Sequence, residues 1–204
     1  MKRILPILLL VTCVAPKVIA RSAIRRIDFN NFTFHQFWGR RPIKLKNGKL
    51  EFDSQGCHTE YTLKGVTYLD LTGDGNEEAL VHLEDFTACG SSGVSDYYYI
   101  YASQNRRPRL LWRFGTGSEG LAGLKDFKMV GRVLTFELFG KYRIVGSKYV
   151  DAGKQAIGEC CPDHYSRITV SWDGKRFRPR SVKLLPFPYD SITSYYNAVG
   201  YPRR

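Results

Sequence analysis

Residues 68–83 read YLDLTGDGNEEALVHL and constrain this chain more than any other stretch. Two apolar runs rich in β-formers flank a short turn. The turn spaces Asp70, Asp74 and Glu78 at intervals of four and puts Gly75 directly after the second aspartate. Carboxylates packed this closely repel one another unless positive charge sits among them. Outside the cytoplasm the ion suited to that place is Ca²⁺, a hard cation that takes about six to eight oxygen ligands. The segment therefore predicts a β-hairpin whose acidic turn is stapled by calcium.

The start of the chain supplies the compartment for that reading. Residues 1–20 read as a secretory signal: Lys2 and Arg3 form a basic head and an apolar run follows. Val18 and Ala20 then place compact residues at the positions that a signal peptidase reads. An alternative is a lipoprotein signal, with Leu10-Val11-Thr12-Cys13 as the lipobox and Cys13 acylated. Either way the product is exported, periplasmic or extracellular. No later segment is long and apolar enough to cross a bilayer as a helix. Residues 21–204 are expected to form a single β-rich domain, long enough to bury a core.

That domain reads as an antiparallel meander with little helix, arranged as a sheet, a sandwich or a partial propeller. Short runs rich in Val, Ile, Tyr, Phe and Trp alternate with turn chemistry. Asn47-Gly48 and Asp173-Gly174 are hairpin signals, and Gly131 separates runs at 127–130 and 133–138. Runs at 96–102 and 110–114 flank a basic, proline-containing loop at 104–109. Because each pairing is local, consecutive strands should be neighbours. Within strands, Tyr97, Tyr99 and Tyr101 share one face, as do Leu134, Phe136 and Leu138, which assigns both sets to a core with a wetter face opposite. The one helical expectation is a short segment at 190–197, near the C-terminus.

Four cysteines remain beyond the signal: Cys57, Cys89, Cys160 and Cys161. In an oxidising compartment they are expected to pair, and several pairings are open. Cys57 and Cys89 lie just outside the two strands of the acidic hairpin, so a bridge between them would close its base, and this pairing is favoured. Cys160, Cys161, Asp163 and His164 form a second cluster of reactive types, read as structural rather than catalytic or metal-binding.

The pattern Asp70-x-Thr72-x-Asp74-Gly75-Asn76-x-Glu78 resembles the calcium turn of FG-GAP and VCBS repeats. By that resemblance Asp70, Thr72, Asp74 and Glu78 stand at side-chain ligand positions and Asn76 offers its carbonyl. Thr72 departs from the family pattern, which carries Asn or Asp there. A wider resemblance is to exported bacterial β-rich proteins of uncharacterised function. These combine a Gly-Asp-Gly-x-x-Glu-Ala hairpin, here 73–79, with a Cys-Cys-Pro-x-His-Tyr segment, here 160–165, and a Trp-Asp-Gly hairpin, here 172–174. That resemblance implies an exported β domain and no particular activity.

Charge adds a class of partner. The whole chain carries +12, and the signal holds three bases (Lys2, Arg3 and Lys17) and no acid, which leaves +9 beyond it. The bases cluster at 40–41, 44–49, 106–109, 175–183 and 203–204. Such a surface attracts polyanions, and outside the cytoplasm these are envelope lipids and polysaccharides rather than nucleic acid. The leading expectation is an exported, non-enzymatic binding or structural module with a calcium-stiffened hairpin. One alternative is a hydrolase of envelope polysaccharide, drawing a second acid from Asp96, Glu119 or Asp126. Another is a basic-surface partner of an anionic polymer or acidic protein.

Overall fold

The computed structural model describes residues 22–35, 42–89, 92–117, 123–141 and 164–186. Residues 1–20 with Cys13, the cysteines at 160 and 161, Asp163, Glu119, the helical expectation at 190–197 and the basic pairs at 40–41 and 203–204 lie outside the described residues.

Two antiparallel meanders form the body. Two short strands, β1 (Thr33–Phe34) and β2 (Ile43–Lys44), pair with each other. The strands β3 (Lys49–Ser54), β4 (Cys57–Leu69), β5 (Glu78–Ala88), β6 (Ser92–Gln104) and β7 (Arg107–Gly115) then build a five-stranded sheet in chain order. The strands β8 (Leu124–Val130), β9 (Val133–Phe139), β10 (His164–Trp172) and β11 (Phe177–Pro186) build a four-stranded one, also in chain order. The architecture is mainly β and antiparallel, as the sequence predicts, and it is not closed into a barrel.

The sheets face each other across an aromatic core. Leu80, Tyr98, Ile100, Trp112 and Phe114 from the first sheet meet Leu134, Phe136, Ile168, Val170 and Phe177 from the second. Phe136 is wholly buried, its ring 4.8 Å from Phe114, 5.4 Å from Tyr98 and 5.0 Å from Phe127. The alternation in β9 holds: Leu134, Phe136 and Leu138 point inward.

The five-stranded sheet departs from the one-dry-face expectation, because both of its faces are covered. Tyr97, Tyr99 and Tyr101 pack with Ala79, Val81 and Leu83 under an N-terminal segment, and Tyr98 and Ile100 pack into the intersheet core, so all five residues at 97–101 are buried. The covering segment runs through two short 3₁₀ turns, Ala23–Arg26 and Phe29–Asn31, and brings Ile24, Phe29, Phe34, Ile43 and Leu45 onto the sheet. Tyr99 donates its hydroxyl to the His35 carbonyl at 2.8 Å, so this buried phenol keeps a partner under the cover.

The same segment explains why the Asn47-Gly48 hairpin stays short. Asn47 and Gly48 adopt the left-handed conformations that their sequence calls for, at φ 53° and 82°. The strands on either side do not zip together beyond the single bridge between Lys46 and Lys49. Gly48 instead donates its N–H to the Asn30 carbonyl at 2.8 Å, and Leu45 donates to Phe32 at 3.0 Å. β2 is thereby drawn to β1, and β3 is left to pair with β4. The loop at 104–109 is likewise tighter than expected. β6 and β7 run on to a two-residue turn in which Asn105 and Arg106 both have positive φ, 52° and 63°, the backbone of a type I′ hairpin.

Cys57 and Cys89 are disulfide-bonded, with Cα atoms 4.4 Å apart, next to the His58–Ala88 rung of β4 and β5. The bridge closes the hairpin at the end opposite its acidic turn.

Emptying the intersheet core should be expensive. Phe136→Ala is expected to cost about 3–5 kcal/mol in urea unfolding, whereas Val130→Ala, on an exposed turn of the same sheet, should stay within about 0.5 kcal/mol. Equal losses would mean that the two sheets do not share this core.

Candidate functional site

The acidic turn joins the last residue of β4 to the first of β5, where Leu69 and Glu78 are cross-strand partners. Its backbone is held by its own carboxylates. Asp70 accepts from the N–H of Gly73 at 2.6 Å and of Gly75 at 3.3 Å. Asp74 accepts from the N–H of Asn76 at 2.8 Å. Glu78, only 1 % exposed, accepts from the N–H of Leu71 at 2.8 Å and of Thr72 at 3.0 Å, and from the Thr72 hydroxyl at 3.3 Å. The two glycines occupy positive φ, 84° at Gly73 and 87° at Gly75, which lets the chain curl around Asp70.

Charge is distributed unevenly over these acids. Asp70 meets the Arg132 guanidinium at 3.1 Å. Glu77, which points away from the turn, is clasped by Arg25 through two bonds of 2.6 and 2.7 Å, and that pairing lowers its pKa. Arg25 also lies over the Tyr68 ring, 4.7 Å from its centroid. Glu78 has hydrogen-bond donors but no cation within ion-pair distance among the described residues. Burial raises its pKa, the hydrogen bonds from Thr72 and Leu71 work against that rise, and the nearby Asp74 carboxylate adds to it.

These contacts make the turn a three-way junction. Arg25 belongs to the N-terminal cover, the turn to the five-stranded sheet, and Arg132 to the β8–β9 turn of the second sheet. Leu71, inside the turn, is wholly buried in the intersheet core. Neither arginine partner was legible in the sequence, because Arg132 is separated from Asp70 by 62 residues and Arg25 from Glu77 by 52.

All five residues expected to hold a metal, Asp70, Thr72, Asp74, Asn76 and Glu78, are thus gathered in one turn, and their donors are oxygens that suit a hard cation. Among the described residues no three His, Cys, Asp or Glu side chains already converge as a metal cluster. Asp70 and Asp74 instead bind backbone amides, and Glu78 turns inward to Leu71 and Thr72. The donor chemistry fits Ca²⁺, with Arg132 and the turn's own amides as its competitors.

Of the acids considered for hydrolysis, Glu119 lies outside the described residues, and Asp96 and Asp126 each have a partner. Asp96 Oδ1 lies 2.6 Å from His82 Nε2, and the imidazole stacks on Tyr98 with ring centroids 4.6 Å apart. Asp126 pairs with Lys128 at 2.8 Å. A further cluster went unread in the sequence because its members are scattered over three strands: Glu137, 5 % exposed, is bound by Lys125 at 2.6 Å and by Arg167 at 2.6–2.8 Å. Burial pushes the Glu137 pKa up, but the bonds from the two cations outweigh it and hold the group below its ordinary value.

Two predictions follow from this geometry. A Cβ at Gly73 would meet the Arg132 guanidinium, whereas one at Gly75 would meet open space. Gly75→Ala should therefore cost about 1–2 kcal/mol from the left-handed backbone alone, and Gly73→Ala up to about 1 kcal/mol more for the displaced ion pair. In an Arg132→Ala background the two should cost the same; a persisting difference would refute the junction. The second concerns acid. Because the folded pKa of Glu137 is depressed, its contribution is whole above the ordinary 4.5 and is lost as pH falls through the folded value. Glu137→Gln should be destabilised at pH ~7, and its urea midpoint should converge on that of the wild type as the pH is lowered below 4.5 and through the folded value. A gap that does not change with pH would overturn the assignment.

Comparison with known proteins supplies no family for this arrangement: no family model, no curated protein and no solved structure matches the chain.

Proposed function

We propose that this chain is an exported, non-enzymatic binding or structural module whose acidic turn is stiffened by Ca²⁺. The observation that carries the reading is the buried Glu78 carboxylate, beside Asp74 and with no cation partner among the described residues, at the point where three layers meet. A buried carboxylate held only by neutral donors is costly. When bound, Ca²⁺ would supply the missing positive charge and oxygen coordination. The residues that would hold it are Asp70, Thr72, Asp74, Glu78 and the Asn76 carbonyl. Its role there would be to lock the N-terminal cover and the two sheets to a common turn and so present a rigid exterior to a partner.

Millimolar Ca²⁺ is expected to raise the melting temperature over that in chelator. Extracellular modules bind with dissociation constants of about 10⁻⁴–10⁻³ M, so a few millimolar calcium is about a 5- to 50-fold excess and the gain would be about 1–2 kcal/mol. Asp74→Asn should remove most of it, and Arg132→Gln, by freeing Asp70, should increase it. Identical melting curves in chelator and in several millimolar calcium would sink the proposal.

A further inference from the structure

The two meanders bring four turns to one end of the sandwich. β5 begins at the acidic turn, and because Ala79 is paired with Tyr101, the β6–β7 turn projects beyond that same end. Arg132 meets Asp70 there, which places the β8–β9 turn beside them. The registry of Leu134 with Val170 then carries the β10–β11 turn to the same side.

Three properties coincide at this end. Arg106, Arg107, Arg109 and Lys175 are exposed and, among the described residues, form no ion pair. The β6–β7 hairpin bears an open recess of about 540 Å³ lined by Gln104, Asn105, Arg107, Pro108 and Arg109, which carries donors and no carboxylate. The β8–β9 turn exposes apolar surface, with Val130 76 % and Val133 38 % exposed. Of the acids in the neighbouring turns, Asp70 is paired with Arg132, Glu77 with Arg25 and Asp173 with Arg178, which leaves Asp74 and the buried Glu78 without a cation among the described residues against the four unpaired bases.

We propose that this end of the sandwich docks on an anionic lipid bilayer, with the Arg107–Arg109 recess taking a phosphate headgroup and Val130 entering the interface. Charge complementarity selects an anionic partner. The exposed valines select a lipid surface over a hydrated polysaccharide, because only the former offers an apolar layer behind its charges. The docking needs no calcium and is separate from the stiffened turn, so it is tested in chelator.

The experiment is co-sedimentation of the chain with vesicles of phosphatidylglycerol and phosphatidylcholine, against vesicles of phosphatidylcholine alone. Binding is expected only to the anionic vesicles and should weaken as salt shortens the screening length from about 10 Å towards about 3 Å. Each basic residue near such a surface is worth about fivefold in affinity, so Arg107→Gln/Arg109→Gln should bind about 25-fold more weakly. Lys64→Gln/Lys183→Gln removes the same charge from mid-strand positions and should cost less than about twofold. Val130→Gln should weaken vesicle binding and leave binding to soluble dextran sulfate unchanged. Circular dichroism melts identify any variant that fails to fold. Three results would overturn the proposal: no preference for anionic vesicles, equal losses from the two double variants, or dextran sulfate binding that tracks vesicle binding in the Val130 variant.

Discussion

The buried carboxylate of Glu78 is the contact on which the other layers converge. It stands at the first position of β5 and gathers the amides of Leu71 and Thr72, so the chain leaving β4 must curl inward before it can return. That curl drops Leu71 into the intersheet core and turns Asp70 out towards Arg132. Glu77, next in the chain, faces the other way and reaches Arg25. One short turn thus ties down the cover, the first sheet and the second sheet. Burying a carboxylate there demands compensation, and its balance of neutral donors without a cation is what makes the turn a candidate cation site.

Coverage of the five-stranded sheet on both faces is the second determinant. A two-sheet sandwich needs only one buried face per sheet, and the outer face is then free to carry polar residues. Here β5 and β6 are apolar or aromatic on both sides, and the N-terminal segment supplies the third layer. The tyrosines at 97, 99 and 101 belong to this second core, where Tyr99 and Tyr101 meet the rings of Phe29, Phe32 and Phe34 tilted or edge-on. The four-stranded sheet keeps a polar outer face, where Glu137, Lys125 and Arg167 satisfy one another. Its edge strand β11 carries Pro179 and basic residues, which discourage pairing with another chain.

Much of this was legible along the chain. Asp-Gly, Asn-Gly and Gly-Asp-Gly turns have strong local backbone preferences, and the residues flanking them alternate with the period of a strand, so the meander and the inward face of β9 follow from neighbours in sequence. The Cys57–Cys89 bridge was the favoured pairing for a similar reason, since both cysteines lie at the base of one hairpin, and the structure selects it. The β6–β7 turn was harder to read. Asn105-Arg106 has no glycine, so nothing local announces that both residues take positive φ, and the strand pairing on either side imposes it. Asn47-Gly48 fails in the opposite sense: the turn forms as its residues dictate, but hydrogen bonds to Asn30 and Phe32 take its strands elsewhere.

The sequence by itself determined the β class, the order of hairpins and the grouping of acids in one turn, because each depends on residues close together in the chain or on the two-residue period of a strand. Only the tertiary structure decided which cations answer those acids, that the five-stranded sheet is covered on both faces, and which turns share an end of the molecule. Arg25 and Arg132 meet their acids across 52 and 62 residues, and no local preference encodes such a meeting. It arises when the two meanders stack and the N-terminal segment folds over them, a result of how apolar faces find one another.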